Sequence, residues 1–309
     1  MRHRTPSCIG LLTVVMGAAV LAGCTTLDQL VLRPSPAIGY TPMELGYEFE
    51  SLVLPRTGGG QVGAWLVPAR GERKGTLVFV PGNDANRGRF TVVLPIFVDN
   101  GWDVILYDFQ GFGDSSGTAT FQGLIDSTRV VFAYATARDR RVVGFGASLG
   151  APVLIRIAAE FELAAVILES TANLRRQASL FFETLGVLPK GSSLLDPISA
   201  LVVSEDFDSV RWVRDVTEPK LFVHSPDDTL TPFAGAWEIY RAAPAPKHFF
   251  LTQYNHAIEP IVNPDLYAKL VNAWLDGVLG FDPIDSPRLQ ELLQENIQLA
   301  IDWGLYTPP

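Results

Sequence analysis

Cysteine and basic side chains are scarce in this chain, and each scarcity excludes a class of protein. Two cysteines occur in 309 residues. Neither forms a CxxC pair or lies at zinc-ligand spacing from a histidine, so a disulfide framework and a structural zinc site are excluded. The 24 lysines and arginines are outnumbered by 33 acidic residues, which gives a net charge of −9. A chain with this balance has no general basic surface for phosphate backbones, which argues against nucleic acid as a partner.

The apolar run near the amino terminus is too short to span a membrane. It covers Ile9 to Leu21, 13 residues, whereas a spanning helix needs about 20. Arg2 and Arg4 precede it, and the small residues Ala22 and Gly23 follow it. This layout is typical of a secretion signal that is cleaved after the small residues.

The sequence Leu21-Ala22-Gly23-Cys24 resembles the lipobox of bacterial lipoproteins. The resemblance implies that residues 1–23 are a lipoprotein signal peptide and that Cys24 carries acyl chains such as palmitate. More than one acyl chain gives stable membrane anchoring. It also implies a place in the bacterial cell envelope, and Thr25 in place of Asp favours the periplasmic side of the outer membrane. An ordinary secretion signal, with Cys24 incidental, is the alternative. Residues 24–42 are predicted to form an extended, lipidated tether.

From Tyr47 onward, short apolar runs alternate with longer amphipathic segments, which is typical of an α/β fold with a mostly parallel sheet. Eight strands are predicted, at Tyr47–Leu54, Gln61–Val67, Thr76–Val80, Asp103–Tyr107, Arg141–Phe145, Ala165–Leu168, Lys220–His224 and His248–Leu251. Helices are predicted at Gly88–Asn100, Ile125–Ala137, Leu149–Phe161, Phe233–Ala242 and Pro264–Leu279. Segments of this length can connect parallel strands.

These elements predict one domain over residues 43–280 with two additions. The alternation breaks over residues 171–204, which we interpret as a short lid insertion. Its apolar residues Leu180, Phe181 and Phe182 either line an acyl pocket or pack as core under the lid. Residues 281–309 are predicted to be a helical extension, because a capping pattern and apolar residues at helical spacing occur there.

A predicted strand passes into a predicted helix through Gly146-Ala147-Ser148-Leu149-Gly150, a Gly-x-Ser-x-Gly sequence. Such a turn places the serine hydroxyl at the carboxyl edge of the sheet, and glycine permits the sharp bend. Two other interpretations stay open at this point. Gly144-x-Gly146-x-x-x-Gly150, with Glu169 after the next strand, resembles a dinucleotide-binding fingerprint but has one residue too many. The segment could also be a simple tight turn.

A base and an acid follow this serine in the order that a serine nucleophile requires. Serine is a weak nucleophile until an imidazole takes its proton, and the imidazole needs an anion to fix its tautomer. Asp228 and His256 each follow a predicted strand, so they are expected at the same sheet edge as Ser148. Asp228 is preferred to Asp227, which is expected to cap the following turn. Structural hydrogen bonds are expected for His224 and His248.

Together these residues resemble the α/β-hydrolase family, nearest to its serine aminopeptidase-like and Bem46-like branches, over about Tyr47 to Leu279. The resemblance implies an α/β-hydrolase fold with a mostly parallel eight-stranded sheet flanked by helices. The segment Phe79-Val80-Pro81-Gly82-Asn83 is similar to the family's His-Gly-x loop, with Pro81 in place of histidine. By this resemblance the backbone N–H groups of Asn83 and Leu149 form an oxyanion hole. An ordinary turn at Pro81-Gly82-Asn83 is the alternative.

A second loop, from Asp108 to Gly117, resembles the family's Asp-x-x-Gly-x-Gly-x-Ser-x-Gly sequence. The loop is mostly structural in this family, so no catalytic role is expected for Asp108 or Ser115.

The sequence therefore predicts a lipid-anchored serine hydrolase that cleaves ester bonds of small or acyl substrates through an acyl-enzyme, with no metal or organic cofactor. Ser148 is the expected nucleophile, His256 the base and Asp228 its orienting acid. Thioester or amide substrates need the same triad. A catalytically inactive, lipid-anchored binding or assembly scaffold is the main alternative, followed by a dinucleotide-binding oxidoreductase. The sequence does not indicate an oligomeric state.

Overall fold

The computed structural model describes Asp28 and residues 31–83, 85–184, 203–257 and 259–281, with side chains only as far as Ser179 in the range 85–184. The predicted signal peptide, the lipidation site at Cys24, the central part of the predicted lid and the predicted carboxyl-terminal helix lie outside the described residues. So do the side chains of Leu180, Phe181 and Phe182.

Eight strands form a single sheet, as the sequence predicts. They are β1 Glu50–Pro55, β2 Gln61–Val67, β3 Gly75–Val80, β4 Trp102–Tyr107, β5 Val142–Ala147, β6 Ala165–Glu169, β7 Lys220–His224 and β8 Lys247–Leu251. Their order across the sheet is β1-β2-β4-β3-β5-β6-β7-β8. Only β2 runs antiparallel to its neighbours, β1 and β4, and the other pairs described are parallel. The predicted α/β-hydrolase architecture is confirmed.

Helices cover both faces of this sheet. The α-helices are α1 Leu94–Phe97, α2 Phe121–Arg138, α3 Gly150–Ala158, α4 Leu174–Thr184, α5 Ser209–Trp212, α6 Phe233–Ala242, α7 Glu259–Val262 and α8 Pro264–Val278. Short 3-10 helices lie at Pro42–Leu45, Arg89–Val93, Val98–Asn100, Glu205–Phe207 and Val213–Asp215. None of the described helices is both long and apolar enough to cross a membrane.

The core consists of two apolar layers, one on each face of the sheet. Val78 and Val80 belong to the layer beneath α2 and α3, whereas Leu77 and Phe79 of the same strand belong to the layer beneath α8. This alternation follows from the two-residue period of a strand. Because both faces are covered, β3, β5, β6 and β7 are buried along their whole length. The sheet is therefore a rigid base for whatever its carboxyl edge carries.

The helix predicted over Gly88–Asn100 is divided into three short helical pieces. Two 3-10 stretches flank the four-residue α1 there. Pro95 lies in the middle of this segment, lacks the N–H that a continuous helix needs, and its ring collides with the carbonyl four residues earlier. The local sequence therefore keeps a helical course but not a single α-helix.

The amino-terminal segment contacts the domain. Leu32 is buried in the core layer beneath α2 and α3. The carboxylate of Asp28 accepts a hydrogen bond of 2.6 Å from the amide of Phe121, the first residue of α2. Prediction of an extended tether over residues 24–42 gave no indication of these contacts.

Candidate active site

The turn over residues 146–150, called the Ser148 turn below, connects β5 to α3. Ser148 has φ of 53°, in the left-handed region that serine rarely occupies. Its amide donates to the carbonyl of Glu169 at 2.9 Å, and its carbonyl accepts from the amide of Ala151 at 3.0 Å. Such backbone conformations persist where the surroundings hold them, and they are concentrated at functional sites.

Close packing explains the two flanking glycines of this turn. A Cβ on Gly146 would lie 2.7 Å from the Gly150 carbonyl oxygen, and a Cβ on Gly150 would lie 2.2 Å from the carbonyl oxygen of Val80. Both distances are shorter than any real Cβ contact. Glycine is therefore required because the turn presses against itself and against the end of β3.

The same packing accounts for the glycine pattern that resembled a dinucleotide fingerprint. A Cβ on Gly144 would lie 2.6 Å from Leu154 Cδ1, so glycine at this position allows α3 to pack closely against the sheet. Glu169, which would have to bind a ribose, is only 3 % exposed. Its carboxylate accepts a hydrogen bond of 3.1 Å from the Tyr267 hydroxyl. Glu169 is therefore not placed to bind a ribose, which argues against the dinucleotide interpretation.

Three polar side chains from three strand ends meet at the carboxyl edge of the sheet. His256 Nε2 lies 2.8 Å from Ser148 Oγ, and His256 Nδ1 lies 2.9 Å from Asp228 Oδ2. These distances are in the range that proton transfer from a nucleophile to a base requires. When Nδ1 carries the ring proton and donates a hydrogen bond to Asp228, Nε2 is free to accept the serine proton.

Asp228 is held in place by the turn that it begins. Its Oδ1 accepts from the amides of Leu230 at 3.0 Å and Thr231 at 2.8 Å, and its Oδ2 accepts from the Thr231 hydroxyl at 2.8 Å. Burial by itself would raise the pKa of this carboxyl, but the hydrogen bonds from His256 and Thr231 lower it to about 2. Asp228 is therefore ionised at neutral pH. Through these bonds Asp228 also caps this turn. The prediction that Asp227 caps the turn is therefore wrong, and Asp227 is exposed.

Two hydroxyl residues that the sequence analysis missed support His256. Thr231 Oγ1 lies 3.1 Å from His256 Nδ1 and 3.1 Å from the carbonyl oxygen of Ser170. Ser170 Oγ in turn accepts from the amide of Ala257 at 3.0 Å. Within the described ranges, the non-glycine residues with positive φ are Ser148, Ser170 and Ala257. All the described backbone strain of this kind is therefore concentrated around His256 and its hydrogen-bond partner Ser148.

The loop proposed for an oxyanion hole lies directly against the Ser148 turn. A Cβ on Gly82 would contact Ser148 Cβ at 3.4 Å. Neither the amide of Asn83 nor that of Leu149 donates a hydrogen bond to another described residue. A developing negative oxygen needs such available donors near the nucleophile.

The two other histidines of the domain make structural contacts, as expected. His224 is 1 % exposed, and its Nε2 lies 2.8 Å from the carbonyl oxygen of Thr231. Burial lowers the pKa of His224, which favours the neutral ring. His248 Nδ1 accepts from the Trp274 indole at 3.1 Å. Neither ring contacts Ser148.

The loop after β4 is also built for structure. Asp108 is fully buried and paired with the guanidinium of Arg87. Ser115 Oγ accepts from the amide of Gly63 at 3.0 Å and donates to the Asp108 carbonyl at 2.7 Å. These contacts join the loop to β2 and engage the side chains of Asp108 and Ser115. In the part of the chain that the structure describes, no cluster of three or more side chains could hold a metal ion.

Residues 77–304 match the alpha/beta hydrolase family. The chain belongs to this family. YfhR of Escherichia coli strain K12 is 22 % identical over 263 residues, which cover 81 % of this alpha/beta hydrolase and 87 % of YfhR. The lysophosphatidylserine lipase ABHD12 of Macaca fascicularis is 30 % identical over 195 residues, 59 % of this chain and 48 % of ABHD12.

Solved structures of esterases share the fold. The esterase Pf2001 of Pyrococcus furiosus superposes on this alpha/beta hydrolase with a TM-score of 0.66 at 19 % sequence identity. The match covers 81 % of this chain and 98 % of the esterase. An esterase from Exiguobacterium antarcticum superposes with a TM-score of 0.56 at 14 % identity, over 73 % of this chain and 99 % of that one. At these identities the likeness establishes the fold.

Proposed function

We propose that this alpha/beta hydrolase is a serine hydrolase of carboxylesterase type, acting on ester bonds of small or acyl substrates through an acyl-enzyme. One observation carries the proposal: His256 bridges Ser148 Oγ at 2.8 Å and Asp228 Oδ2 at 2.9 Å. The esterase and lipase names of the relatives support the same class of bond. The loop from Asp108 to Gly117 favours the serine aminopeptidase-like or Bem46-like branch of the family.

Each reacting group has a defined role in the proposed reaction. Ser148 Oγ attacks the ester carbonyl carbon while its proton passes to His256 Nε2. The carbonyl oxygen becomes an oxyanion that accepts hydrogen bonds from the amides of Asn83 and Leu149. His256 then gives its proton to the departing alcohol, which leaves an acyl group on Ser148. Water, deprotonated by His256, releases the acid and restores the serine.

Asp228 supports both halves of this cycle. Its ionised carboxylate accepts a hydrogen bond from the N–H of His256 Nδ1, which fixes the tautomer and stabilises the imidazolium that forms during each transfer. A thioester or an amide could enter the same cycle, since the triad does not select the leaving group.

Hydrolysis by Ser148→Ala tests this proposal. The full chain in detergent is assayed with short-chain p-nitrophenyl esters, and a set of thioesters and anilides is run in parallel. We expect Ser148→Ala to lower kcat by about 10⁴-fold or more while the circular dichroism spectrum is unchanged. Ser116→Ala is the matched control, because this serine lies in the neighbouring loop and its side chain bonds to Gln61.

Two results would contradict the proposal. Substantial ester hydrolysis by Ser148→Ala would assign the chemistry to another residue. A folded wild-type protein that cleaves none of the three substrate classes would favour the inactive scaffold.

We also propose that Cys24 is lipidated and anchors the protein to the periplasmic side of a bacterial outer membrane. The proposal is supported by the Leu21-Ala22-Gly23-Cys24 sequence after the short apolar run. Labelled palmitate should enter the wild type in a bacterial host and be absent from Cys24→Ser. Equal incorporation by the two proteins would overturn it.

A further inference from the structure

Residues 31–37, called the strap below, lie against the loop that carries Asn83. The Asn83 side chain holds the strap with two hydrogen bonds. Its Nδ2 donates to the carbonyl of Val31 at 2.8 Å, and its Oδ1 accepts from the amide of Arg33 at 3.1 Å. The side chain of Asn83 thus bonds to a backbone carbonyl and to a backbone amide of the strap.

Further contacts fix the strap on both sides of this pair. Asn86 Nδ2 donates to the carbonyls of Ala37 at 2.5 Å and Ser35 at 3.2 Å. The Ser35 carbonyl also accepts from the amide of Gly113, in the loop after β4, at 3.0 Å. Leu32 is 5 % exposed and packs into the core. The strap is therefore attached to two loops at the carboxyl edge of the sheet and to the core between them.

Among the described residues, the loop after β3 has few other polar contacts near Asn83. The described residues between Pro81 and Ala85 adopt no helix or strand and make no backbone hydrogen bond to another described residue. Regular bonding resumes with the amide of Arg87, which donates to Asp108 Oδ1 at 2.7 Å. Within the described part of the chain, the polar contacts of Asn83 all go to the strap.

We infer that the strap is a positioning element for the oxyanion hole. The hydrogen bonds from the Asn83 side chain to the strap fix the backbone amide of the same residue beside Ser148. The inference rests on the proposed function, in which that amide binds the oxyanion. Loss of one oxyanion donor costs about 10²- to 10³-fold in kcat. A donor that is displaced rather than removed should cost less.

Two variants loosen the strap in different ways. Asn83→Ala removes both bonds to Val31 and Arg33 but keeps the backbone amide. Asn86→Ala acts three residues away and removes the bonds to Ser35 and Ala37. Asn100→Ala is the matched control, because Asn100 also donates to a carbonyl, that of Ile96 at 2.9 Å, but lies before β4 at the opposite edge of the sheet.

In the full chain in detergent, we expect Asn83→Ala to lower kcat for a p-nitrophenyl ester by about 10- to 100-fold, with KM within about twofold. Asn86→Ala should lower kcat in the same way but by less, and Asn100→Ala should leave it unchanged. Melting temperatures are measured for all three, since a merely structural role would change stability and spare kcat. A kcat for Asn83→Ala and Asn86→Ala equal to that of Asn100→Ala would overturn the inference.

Hydrogen exchange separates this inference from the proposed function. The Arg33 amide bonds to Asn83, so its exchange should be at least about tenfold faster in Asn86→Ala than in the wild type if the strap is one unit. Unchanged exchange there would overturn the inference even if the wild type proves inactive. A wild type without esterase activity but with the expected exchange would overturn only the proposed function.

Discussion

Two buried carboxyl groups at the same sheet edge differ in protonation, since one is ionised and the other is neutral. Glu169 is the last residue of β6, and Asp228 lies in the turn after the adjacent strand β7. They are 3 % and 4 % exposed. Burial raises the pKa of Glu169 to about 8, with Glu259 adding to the rise, whereas the pKa of Asp228 is about 2.

Hydrogen-bond donors account for the difference. Asp228 accepts from His256 and from the amides and hydroxyl of its own turn. Glu169 accepts from the Tyr267 hydroxyl alone among the described residues. A buried carboxyl remains ionised when donors replace the lost water and becomes neutral when they do not. The sheet edge determines where both carboxyl groups lie. The donors of the turn after β7, together with His256, keep Asp228 ionised.

Among the changes that test this comparison, removing the charge of Asp228 is expected to have the largest effect. In Asp228→Asn, the amide cannot fix the His256 tautomer that leaves Nε2 free for the serine proton. We expect kcat for ester hydrolysis to fall by about 10³- to 10⁴-fold with little change in KM. Asp227→Asn is the matched control, because the neighbouring aspartate is exposed, and it should retain wild-type activity. Equal kcat for the two variants would contradict the role of Asp228.

The neutral state of Glu169 predicts a pH-dependent stability. Its pKa rises from about 4.5 in the unfolded chain to about 8 in the folded protein. The unfolded chain therefore loses this proton first, and the folded state is destabilised as pH rises from about 4.5 to 8. At about 1.4 kcal/mol per pKa unit, the difference amounts to a few kcal/mol.

Glu169→Gln should remove that part of the pH dependence. We expect the variant to unfold at a higher denaturant concentration than the wild type at pH 8 and at nearly the same concentration at pH 5. Parallel stability curves for the two proteins would show that Glu169 is ionised in the folded state.

A smaller effect is expected from the hydroxyl of Thr231. Thr231→Val keeps the size of the side chain and the backbone amide but removes one donor to Asp228 and the contact with His256. The pKa of Asp228 should rise from about 2, and kcat should fall by about tenfold. Thr231→Ser restores the hydroxyl and should restore kcat. A Thr231→Val variant with the kcat of the wild type would mean that the backbone amides suffice to hold Asp228.

The sequence predicts that the three candidate residues meet, because their positions follow from the order of strands. Ser148, Asp228 and His256 each come shortly after an apolar strand, and the carboxyl ends of parallel strands share an edge. Their meeting within hydrogen-bond distance could therefore be anticipated. Their catalytic roles stay predictions.

The supporting groups could not be predicted in this way. Thr231 and Ser170 are ordinary turn residues in the sequence, and their role depends on a contact between turns of different strands. The strap lies in the segment that the sequence predicts to be a tether. Its contacts with Asn83 and Asn86 join residues about 50 positions apart in the chain. Such contacts leave no local periodicity in the sequence.

Labelling with a fluorophosphonate probe tests the central claim most directly, since the probe reacts much faster with an activated serine than with an ordinary one. The modified peptide is mapped by mass spectrometry in the wild type, Ser148→Ala and Asp228→Asn. We expect the adduct on Ser148 in the wild type, no adduct in Ser148→Ala, and labelling at least about 10³-fold slower in Asp228→Asn. An adduct on a different serine, or none on a folded wild type, would contradict the assignment of Ser148 as the nucleophile.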